Sequence, residues 1–211
     1  MCFITFEGID QCGKSTQLKK IEKAAKSAGI DIQVVRDPGG TPLGEQIRKM
    51  LLGTEHTNMD PWAEALLYTA ARVQLVNEVI KPALAEGKVV ISDRYIDSSI
   101  VYQGVARGIG VKQILDIDKD ATGGLMPDLT FVFNLGVEQS RKRLKKSGLT
   151  ADRIESEEGS FYTVVANGYL NLEKQFPDRV VVIDASRSID EVYTEIVSTC
   201  KERLNLKLPI C

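Results

Sequence analysis

A glycine-rich stretch near the start of the chain constrains the fold more than any other feature of the sequence. An apolar run with period-two character leads into Gly8, and after four intervening residues come Gly13, Lys14 and Ser15. This spacing between a strand and a helix is typical of a phosphate-binding loop. Glycines allow a tight turn that points successive backbone N–H groups into one concavity, and the following helix adds its positive end. The alternative is an ordinary glycine-rich turn.

Side chains in and beyond this loop predict a site for a nucleotide and a divalent metal ion. Lys14 supplies a positive charge for the β and γ phosphates, and the Ser15 hydroxyl can ligate Mg²⁺. Asp93 follows the apolar run of residues 89–91, where a carboxylate can hold Mg²⁺, usually through its water shell. The alternative role for Asp93 is a helix N-cap. Arg94, the next residue, can bridge phosphates with two hydrogen bonds.

Composition indicates one sizeable core and argues against several classes of protein. With 211 residues and a formal net charge of −2, the chain lacks the basic field of a nucleic-acid-binding protein, and no apolar run could span a bilayer. Met1 leads directly into the first strand, without signal-peptide features. Cys2, Cys12, Cys200 and Cys211 form no paired motif. We therefore expect reduced thiols in a cytoplasmic protein, with Cys12 as a small filler rather than an oxidisable site.

Apolar runs alternate with helical patterns along the whole chain. Strands are expected before Gly8 and over residues 30–36, 89–91, 129–135 and 180–183. Helices are expected over residues 14–28, 43–52, 61–86, 97–105, 111–122, 137–146, 160–176 and 188–206. Pro82 should bend or break the third helix, and Ser188 should cap the last. The alternation predicts one α/β domain, residues 1–211, with helices on both faces of a parallel sheet.

Polar residues in or just after three of these strands indicate where the ligands bind. In such sheets, ligands lie beyond the carboxyl ends of the strands. Asp37, Asp93 and Asn134 are therefore expected at the same edge as the phosphate loop.

Five blocks of sequence resemble the thymidylate kinase family, in the order of that family. They are Phe6-Glu7-Gly8-Ile9-Asp10, Arg36-Asp37-Pro38-Gly39-Gly40-Thr41, Tyr68-Thr69-Ala70-Ala71-Arg72, Asp93-Arg94-Tyr95 with Ser98-Ser99 and Tyr102-Gln103, and Ala151-Asp152-Arg153-Ile154-Glu155. The resemblance implies a P-loop NTPase fold with a five-stranded parallel sheet and a small mobile lid at about residues 143–159. It also implies a homodimer that uses ATP and Mg²⁺ to convert dTMP into dTDP, with release of ADP, in dTTP biosynthesis.

The resemblance assigns the donor nucleotide to the phosphate loop. The expected ATP-binding residues are Gly8, Ile9, Asp10, Gln11, Cys12, Gly13, Lys14, Ser15, Thr16 and, as a guess with Ser186 for adenine, Arg187. Many thymidylate kinases carry an arginine where this chain has Gln11. The sequence is therefore similar to the bacterial pattern, in which lid arginines neutralise the moving phosphoryl group. Arg153 is expected first and Arg143 second in this catalytic role, beside Lys14 and Arg94, and the alternative is a solvated basic helix.

The resemblance also implies a site for the acceptor nucleotide. Asp10 would accept a hydrogen bond from the sugar 3′-hydroxyl, and its alternative role is a local cap of the loop. Tyr68, where the family usually has Phe, would stack on thymine. Arg72, four residues later on the same helix face, would donate to a thymine carbonyl oxygen. The alternatives are core packing for Tyr68 and a surface ion pair for Arg72.

Further acceptor contacts are implied by position. The residues concerned are Asp37, Pro38, Arg48, Arg94, Ser99, Tyr102 and Gln103. Arg48 and Arg94 would clamp the acceptor's phosphate, and Tyr102 would crowd the position of a ribose 2′-hydroxyl. Asp37 stands where the family usually has Glu, so its contact, direct or through water, stays open. The alternatives are a solvated face for Arg48 and ordinary packing for the helical residues.

Two other functions are weighed against this one. The first is a kinase for a different nucleoside monophosphate. The second is a nucleotide-driven switch or scaffold, although the sequence contains no Asn-Lys-x-Asp guanine motif.

Overall fold

The computed structural model describes residues 2–148, 152–157 and 159–209. Its centre is a sheet of five parallel strands in the order β2-β3-β1-β4-β5. The strands are β1 (Cys2–Glu7), β2 (Ile32–Arg36), β3 (Val89–Asp93), β4 (Leu129–Asn134) and β5 (Val180–Asp184). The predicted five-stranded parallel sheet is confirmed, although β2 begins at Ile32 rather than at residue 30. Met1, the expected entry to β1, lies outside the described residues.

Helical segments connect the strands and cover both faces of the sheet. The α-helices are α1 (Lys14–Ser27), α2 (Pro42–Leu52), α3 (Pro61–Leu75), α4 (Lys81–Ala85), α5 (Ile96–Ser99), α6 (Val111–Thr122), α7 (Val137–Ser147), α8 (Gly159–Gln175) and α9 (Ile189–Leu204). The cap predicted for the last helix is confirmed, because the Ser188 side chain and Glu191 form a reciprocal capping box. In the part of the chain that the structure describes, none of the helices combines the length and the apolar character that a membrane span needs.

The helical path continues through Pro82 and is not broken there. Proline lacks an N–H, so an ordinary α-helix would lose a hydrogen bond at this position. In the structure, a π-helical segment, Val76–Ile80, joins α3 to α4, and Pro82 lies in the first turn of α4. The wider hydrogen-bond register directly before the proline absorbs the missing donor. A second π-helical segment, Ile100–Ala106, continues α5 where the sequence predicted one helix.

The hydrophobic core lies against the three central strands. β1 is buried along its full length, and β3 and β4 are buried except at their last residues. The rings of Phe6 and Phe131 pack edge to face, with centroids 5.7 Å apart. Strands covered on both faces are nearly continuous in apolar residues, which explains the run at residues 89–91.

The carboxyl ends of the strands bring the predicted polar residues to one edge. The Asp37 N–H donates to the Asp93 carbonyl at 3.1 Å, and the Arg94 N–H donates to the Phe6 carbonyl at 2.9 Å. Asp37 and Asp93 therefore lie where the topology predicted, beside the phosphate loop. Asn134 ends β4 at the same edge, but it lines neither of the two cavities described below.

The expected lid falls between α7 and α8. Its described part, residues 152–157, consists of turns. The Arg153 N–H donates to the carbonyl of Leu52, the last residue of α2, at 3.2 Å. This part of the lid therefore rests on the end of α2, while Ala151 of the expected lid motif lies outside the described residues.

Candidate active site

The phosphate loop connects β1 to α1 and depends on two glycines. Gly8 has a φ of 131°, and a Cβ there would lie 2.7 Å from the Phe133 carbonyl oxygen. Gly13 has a φ of 109° and immediately precedes α1. The Lys14 ammonium is buried and donates to the carbonyls of Gly8 and Ile9 at 3.0 and 3.1 Å. Lysine and loop therefore form one compact unit at the N-terminus of α1.

A strongly cationic cavity lies over this loop. Its lining residues are Asp10, Gln11, Cys12, Gly13, Lys14, Ser15, Thr16, Arg36, Arg48, Asp93, Arg94 and Arg143. Five of these side chains are cations and two are carboxylates, so the cavity favours an anion. Gly8 and Ile9 do not line it, and their carbonyls instead hold Lys14.

A second cavity of about 520 Å³ adjoins the first. It is lined by Asp10, Asp37, Pro38, Arg48, Leu52, Tyr68, Arg72, Arg94, Tyr95, Ser98, Ser99, Tyr102, Gln103, Asp152 and Ile154. Every residue predicted to contact the acceptor nucleotide is in this set. Asp10, Arg48 and Arg94 line both cavities, so the two spaces meet at these three side chains.

Arg94 is held from several sides at this junction. Its Nη2 donates to Asp10 at 2.7 Å, and its Nη1 donates to the hydroxyls of Ser98 and Tyr169 at 3.2 and 2.9 Å. Burial raises the pKa of Asp10, but the charges of Arg94 and Lys14 outweigh this and hold the pKa below its ordinary value. Asp10 therefore stays ionised and keeps Arg94 at the junction.

Arg72 is a buried cation that lines the second cavity. Its guanidinium is fully buried and donates to Asp37 at 2.6 Å, to Asp118 at 2.8 Å and to the Ser99 hydroxyl at 2.7 Å. Burial alone would lower the pKa of Arg72, but the two carboxylates raise it above its ordinary value. Arg72 is therefore a fixed cation, and the surface ion pair considered from the sequence is instead a buried one.

Two buried polar atoms in this cavity have no hydrogen-bond partner among the described residues. They are Oδ1 of Asp37 and the hydroxyl of Tyr102. Buried polar groups in folded proteins are nearly always paired, and an unpaired one costs stability. Both atoms belong to residues that line the cavity, so both are available to a bound ligand.

The two lid arginines lie in different places. Arg143, on α7, lines the phosphate cavity and donates to the Gln11 carbonyl at 3.1 Å. Arg153 is buried and donates to the Leu51 carbonyl at 2.8 Å and to Glu64 at 2.7 Å, and it lines neither cavity. The role of either in meeting the phosphoryl group stays a prediction, but this geometry places Arg143 ahead of Arg153, against the expected order.

Other predicted residues differ in how directly they reach the site. Arg48 donates to the Pro38 carbonyl at 3.0 Å while lining both cavities. The Ser15 hydroxyl lies 3.4 Å from Asp93 Oδ2, so both expected metal ligands face the phosphate cavity together. Arg187 pairs with Glu195 and lies outside both cavities, so its contact with adenine has no support from its position.

Two buried carboxylates near the site, Glu7 and Glu64, were not predicted from the sequence. Glu7, the last residue of β1, is fully buried, and burial, followed by the charge of Asp97, raises its pKa to about 7. Glu64 on α3 is 1% exposed and accepts hydrogen bonds from Gln103 and Arg153. Glu7 could have been recognised from the sequence, because a carboxylate that ends an apolar strand indicates a buried charge with specific partners. The partners of Glu64 are distant in sequence, so no local pattern indicated it.

Comparison with known proteins gives a consistent result. The family model described as thymidylate kinase matches residues 6–196. A thymidylate kinase of Pelotomaculum thermopropionicum is 45% identical over 203 residues, covering 96% of this chain and 94% of the relative. One of Caldanaerobacter subterraneus subsp. tengcongensis is 46% identical over 202 residues, covering 96% of each chain.

A solved structure extends the comparison to three dimensions. The crystal structure of thymidylate kinase from Ehrlichia chaffeensis superimposes with a TM-score of 0.74 at 32% sequence identity. The match covers 94% of this chain and 97% of the other. Fold, family model and full-length relatives agree, and the chain belongs to the thymidylate kinase family.

Proposed function

We propose that this protein transfers the γ-phosphoryl group of ATP to dTMP and releases ADP and dTDP, a step of dTTP biosynthesis. The observation that carries the proposal is the junction of two cavities at Asp10, Arg48 and Arg94. One cavity is cationic and lies over the phosphate loop. The other is lined by aromatic and hydrogen-bonding side chains that could contact a base. Two nucleotides would therefore meet phosphate to phosphate, which is the arrangement that phosphoryl transfer requires.

The acceptor cavity suits thymine. Arg72 makes four hydrogen bonds to internal partners, which leaves one of the five N–H groups of a guanidinium for a base carbonyl oxygen. Cytosine presents an exocyclic amine, and two donors facing each other would oppose its binding. Tyr68 lines the same cavity and provides a ring for stacking. Tyr102 has a free hydroxyl for a polar contact with the acceptor.

Catalysis on this geometry is positioning and charge neutralisation. A phosphate monoester is largely ionised near neutral pH, so its oxygen attacks the γ-phosphorus without a strong general base. Lys14 and Arg143 would neutralise the transferred group from the phosphate loop side, and Arg94 from the acceptor side. Residues 152–157 would help to exclude water, since Asp152 and Ile154 already line the acceptor cavity.

The decisive experiment is a coupled assay of ADP formation with ATP and each of dTMP, dUMP, dCMP and AMP. We expect the highest kcat/KM with dTMP. Greater turnover of AMP or dCMP would favour a kinase for another nucleoside monophosphate. Nucleotide binding without any acceptor-dependent ADP formation would favour the switch or scaffold.

We infer that the donor binds as its Mg²⁺ complex. Ser15 and Asp93 would supply oxygen ligands, which Mg²⁺ prefers. Ser15 Oγ and Asp93 Oδ2 are 3.4 Å apart, and both residues line the phosphate cavity. Among the described residues, no three His, Cys, Asp or Glu side chains are grouped for a metal, so phosphate oxygens and water would complete the coordination. When bound, the ion neutralises charge on the β and γ phosphates.

Asp93→Asn tests this assignment. The half-saturating Mg²⁺ concentration should rise about tenfold, because an amide oxygen is a weaker ligand than a carboxylate. Asp184→Asn is the matched control, since Asp184 ends β5 as Asp93 ends β3 but lies outside the phosphate cavity. Kinetic titration with Mg²⁺ measures both variants. An equal response of the two would remove Asp93 from the metal site.

We propose a homodimer that uses α2 and α3. These helices pack against each other, and each carries exposed apolar side chains on one face: Leu43 and Met50 on α2, Trp62 and Leu66 on α3. Large apolar side chains at 43–53% exposure on adjoining helices are typical of a subunit interface. The long helix starting at Pro61, expected from the sequence to supply an interface, contains two of the four.

Leu66→Glu should weaken self-association at least about tenfold, because it places a charge in the apolar contact. Sedimentation velocity over a concentration series provides the measurement. Val164→Glu on α8 is the control, since Val164 is also exposed but lies on another helix. A monomeric wild-type protein, or equal behaviour of both variants, would contradict the interface.

We further propose that the whole chain is one catalytic domain, with residues 143–159 as its lid, acting in the cytoplasm. The described residues share one main hydrophobic core, which supports a single domain. Cys2, Cys12 and Cys200 are buried free thiols, as suits a reducing compartment. Cys211, the fourth cysteine, lies outside the described residues.

A further inference from the structure

Glu7 is a buried carboxylate to which the proposed reaction gives no part. It ends β1 with none of its surface exposed and lines neither cavity. Its Oε1 accepts hydrogen bonds from the backbone N–H groups of Tyr95 and Ser98 at 2.7 and 3.3 Å. Its Oε2 accepts from the hydroxyls of Ser98 and Tyr169 at 2.6 and 3.2 Å. Four donors, from the segment after β3 and from α8, therefore converge on one side chain.

The two hydroxyls that donate to Glu7 also accept from Arg94. Nη1 of Arg94 lies 3.2 Å from Ser98 Oγ and 2.9 Å from the Tyr169 hydroxyl. A hydroxyl has a single hydrogen and two lone pairs. When that hydrogen points at the Glu7 carboxylate, the lone pairs are available to the guanidinium. The two hydroxyls also lie 2.8 Å from each other, so the Tyr169 hydrogen can point at Glu7 or at Ser98 Oγ, whose own hydrogen points at Glu7. In either case Glu7 sets the direction of both hydrogen bonds that Arg94 Nη1 donates.

The backbone around Arg94 is held by the same carboxylate. Arg94 has a φ of 70°, in the left-handed region that costs energy for a residue with a side chain. Its own N–H donates to the Phe6 carbonyl, and the next N–H, that of Tyr95, donates to Glu7. The unfavourable backbone conformation is therefore fixed on both sides by the last two residues of β1.

We propose that Glu7 is a positioning residue for Arg94, holding its guanidinium at the junction of the two cavities through Ser98 and Tyr169. The inference rests on the proposed function, in which Arg94 faces both the acceptor's phosphate and the transferred group. Asp10 holds Nη2 and Glu7 acts through Nη1, so both ends of the guanidinium are oriented before substrate arrives. Glu7 itself touches neither substrate.

Glu7→Gln separates this role from a purely structural one. The glutamine carbonyl can keep both backbone hydrogen bonds, while its NH₂ group presents donors to the two hydroxyls and reverses their direction. We expect kcat with dTMP to fall about ten- to a hundredfold, the value of one or two hydrogen bonds to a charged group. KM for ATP should change less than about twofold, because the phosphate loop is untouched. Circular dichroism and thermal unfolding establish that the variant is folded.

Tyr169→Phe gives a second, independent test. This change leaves Glu7 in place and removes one hydroxyl. Tyr169 itself lines neither of the two cavities. We expect a smaller loss of kcat than in Glu7→Gln. In the double variant the losses should combine to less than their product, because both changes act on the same hydrogen bond to Arg94. If Glu7→Gln does not fold, the loss in Tyr169→Phe decides the matter.

Asp97→Asn is the matched control. Asp97 lies on α5 and is also fully buried, but it pairs with Arg179 and makes no hydrogen bond to Arg94. Asp97→Asn should lower thermal stability without lowering kcat, because loss of the Asp97 charge lowers the pKa of Glu7 and so keeps the Glu7 carboxylate ionised. Wild-type kcat in Glu7→Gln, full additivity with Tyr169→Phe, or an equal loss of kcat in Asp97→Asn would overturn the positioning role. Absence of dTMP-dependent ADP formation in the wild-type protein would instead overturn the proposed function.

Discussion

Replacing Lys14 by Met is expected to lower kcat for dTMP phosphorylation on the order of a thousandfold, the scale of losing one cation that stabilises a phosphoryl-transfer transition state. In the structure Lys14 is 7% exposed, and its ammonium donates to the Gly8 and Ile9 carbonyls. A polyphosphate would offer anionic oxygens as stronger partners for the same ammonium. Methionine keeps the length and apolar stem of lysine, so the change removes mainly the charge.

The control for this variant is on the same helix. Lys19→Met makes the same change of charge at an exposed position of α1 outside the phosphate cavity. We expect its kcat to stay within about twofold of the wild-type value, as for most surface substitutions. Initial rates at saturating ATP and dTMP measure both. A Lys14→Met enzyme as active as Lys19→Met would show that the loop does not bind the donor phosphates.

The fold was predictable because its signals are local. The central strands are buried on both faces and are mostly apolar, which distinguishes them from the amphipathic helices between them. The helix through Pro82 was harder to predict, because the proline indicated a bend or a break and the structure shows that the helical path is not broken there. A π-helical segment before the proline changes the hydrogen-bond register, so the helical path continues. No local residue pattern predicts that change of register.

Much of the site followed from topology and from the family resemblance. Parallel strands place their carboxyl ends at one edge of the sheet, so the sequence alone predicted that Asp37 and Asp93 lie beside Lys14. The resemblance then named Arg72 and Tyr102, and both line the acceptor cavity. The specific partners of these residues were not predictable, since Arg72 pairs with Asp118, 46 residues further along the chain.

Contacts between distant segments explain why the structure and the sequence rank the two lid arginines differently. The sequence indicated that both Arg143 and Arg153 lie near the lid, but it could not predict the hydrogen-bond partners of either side chain. Glu64 lies 89 residues before Arg153, and together with Gln103 and Arg107 it forms a buried cluster against the described lid segment. Arg153 joins that cluster, while Arg143 projects from α7 to the phosphate loop.

Arg143→Ala and Arg153→Ala should therefore fail in different ways. Arg143→Ala should lower kcat about a hundred- to a thousandfold with little change in KM for dTMP, because it removes a cation from the phosphate cavity. Arg153→Ala should raise KM for dTMP about tenfold, because the segment that carries Asp152 and Ile154 over the acceptor cavity loses its attachment to Glu64. Its kcat at saturating dTMP should fall far less.

Steady-state kinetics with both substrates varied separates these two effects. Lys142→Ala is the control, since it removes one exposed charge next to Arg143 without lining either cavity. Arg153→Lys should recover part of the dTMP affinity, because a lysine ammonium can still pair with Glu64 but cannot also reproduce the bond to the Leu51 carbonyl. A large fall of kcat in Arg153→Ala, together with wild-type kcat in Arg143→Ala, would contradict this assignment. It would mean that Arg153, rather than Arg143, reaches the phosphate cavity when ATP binds. In that case the buried pair with Glu64 would be the resting position of the catalytic arginine rather than an anchor.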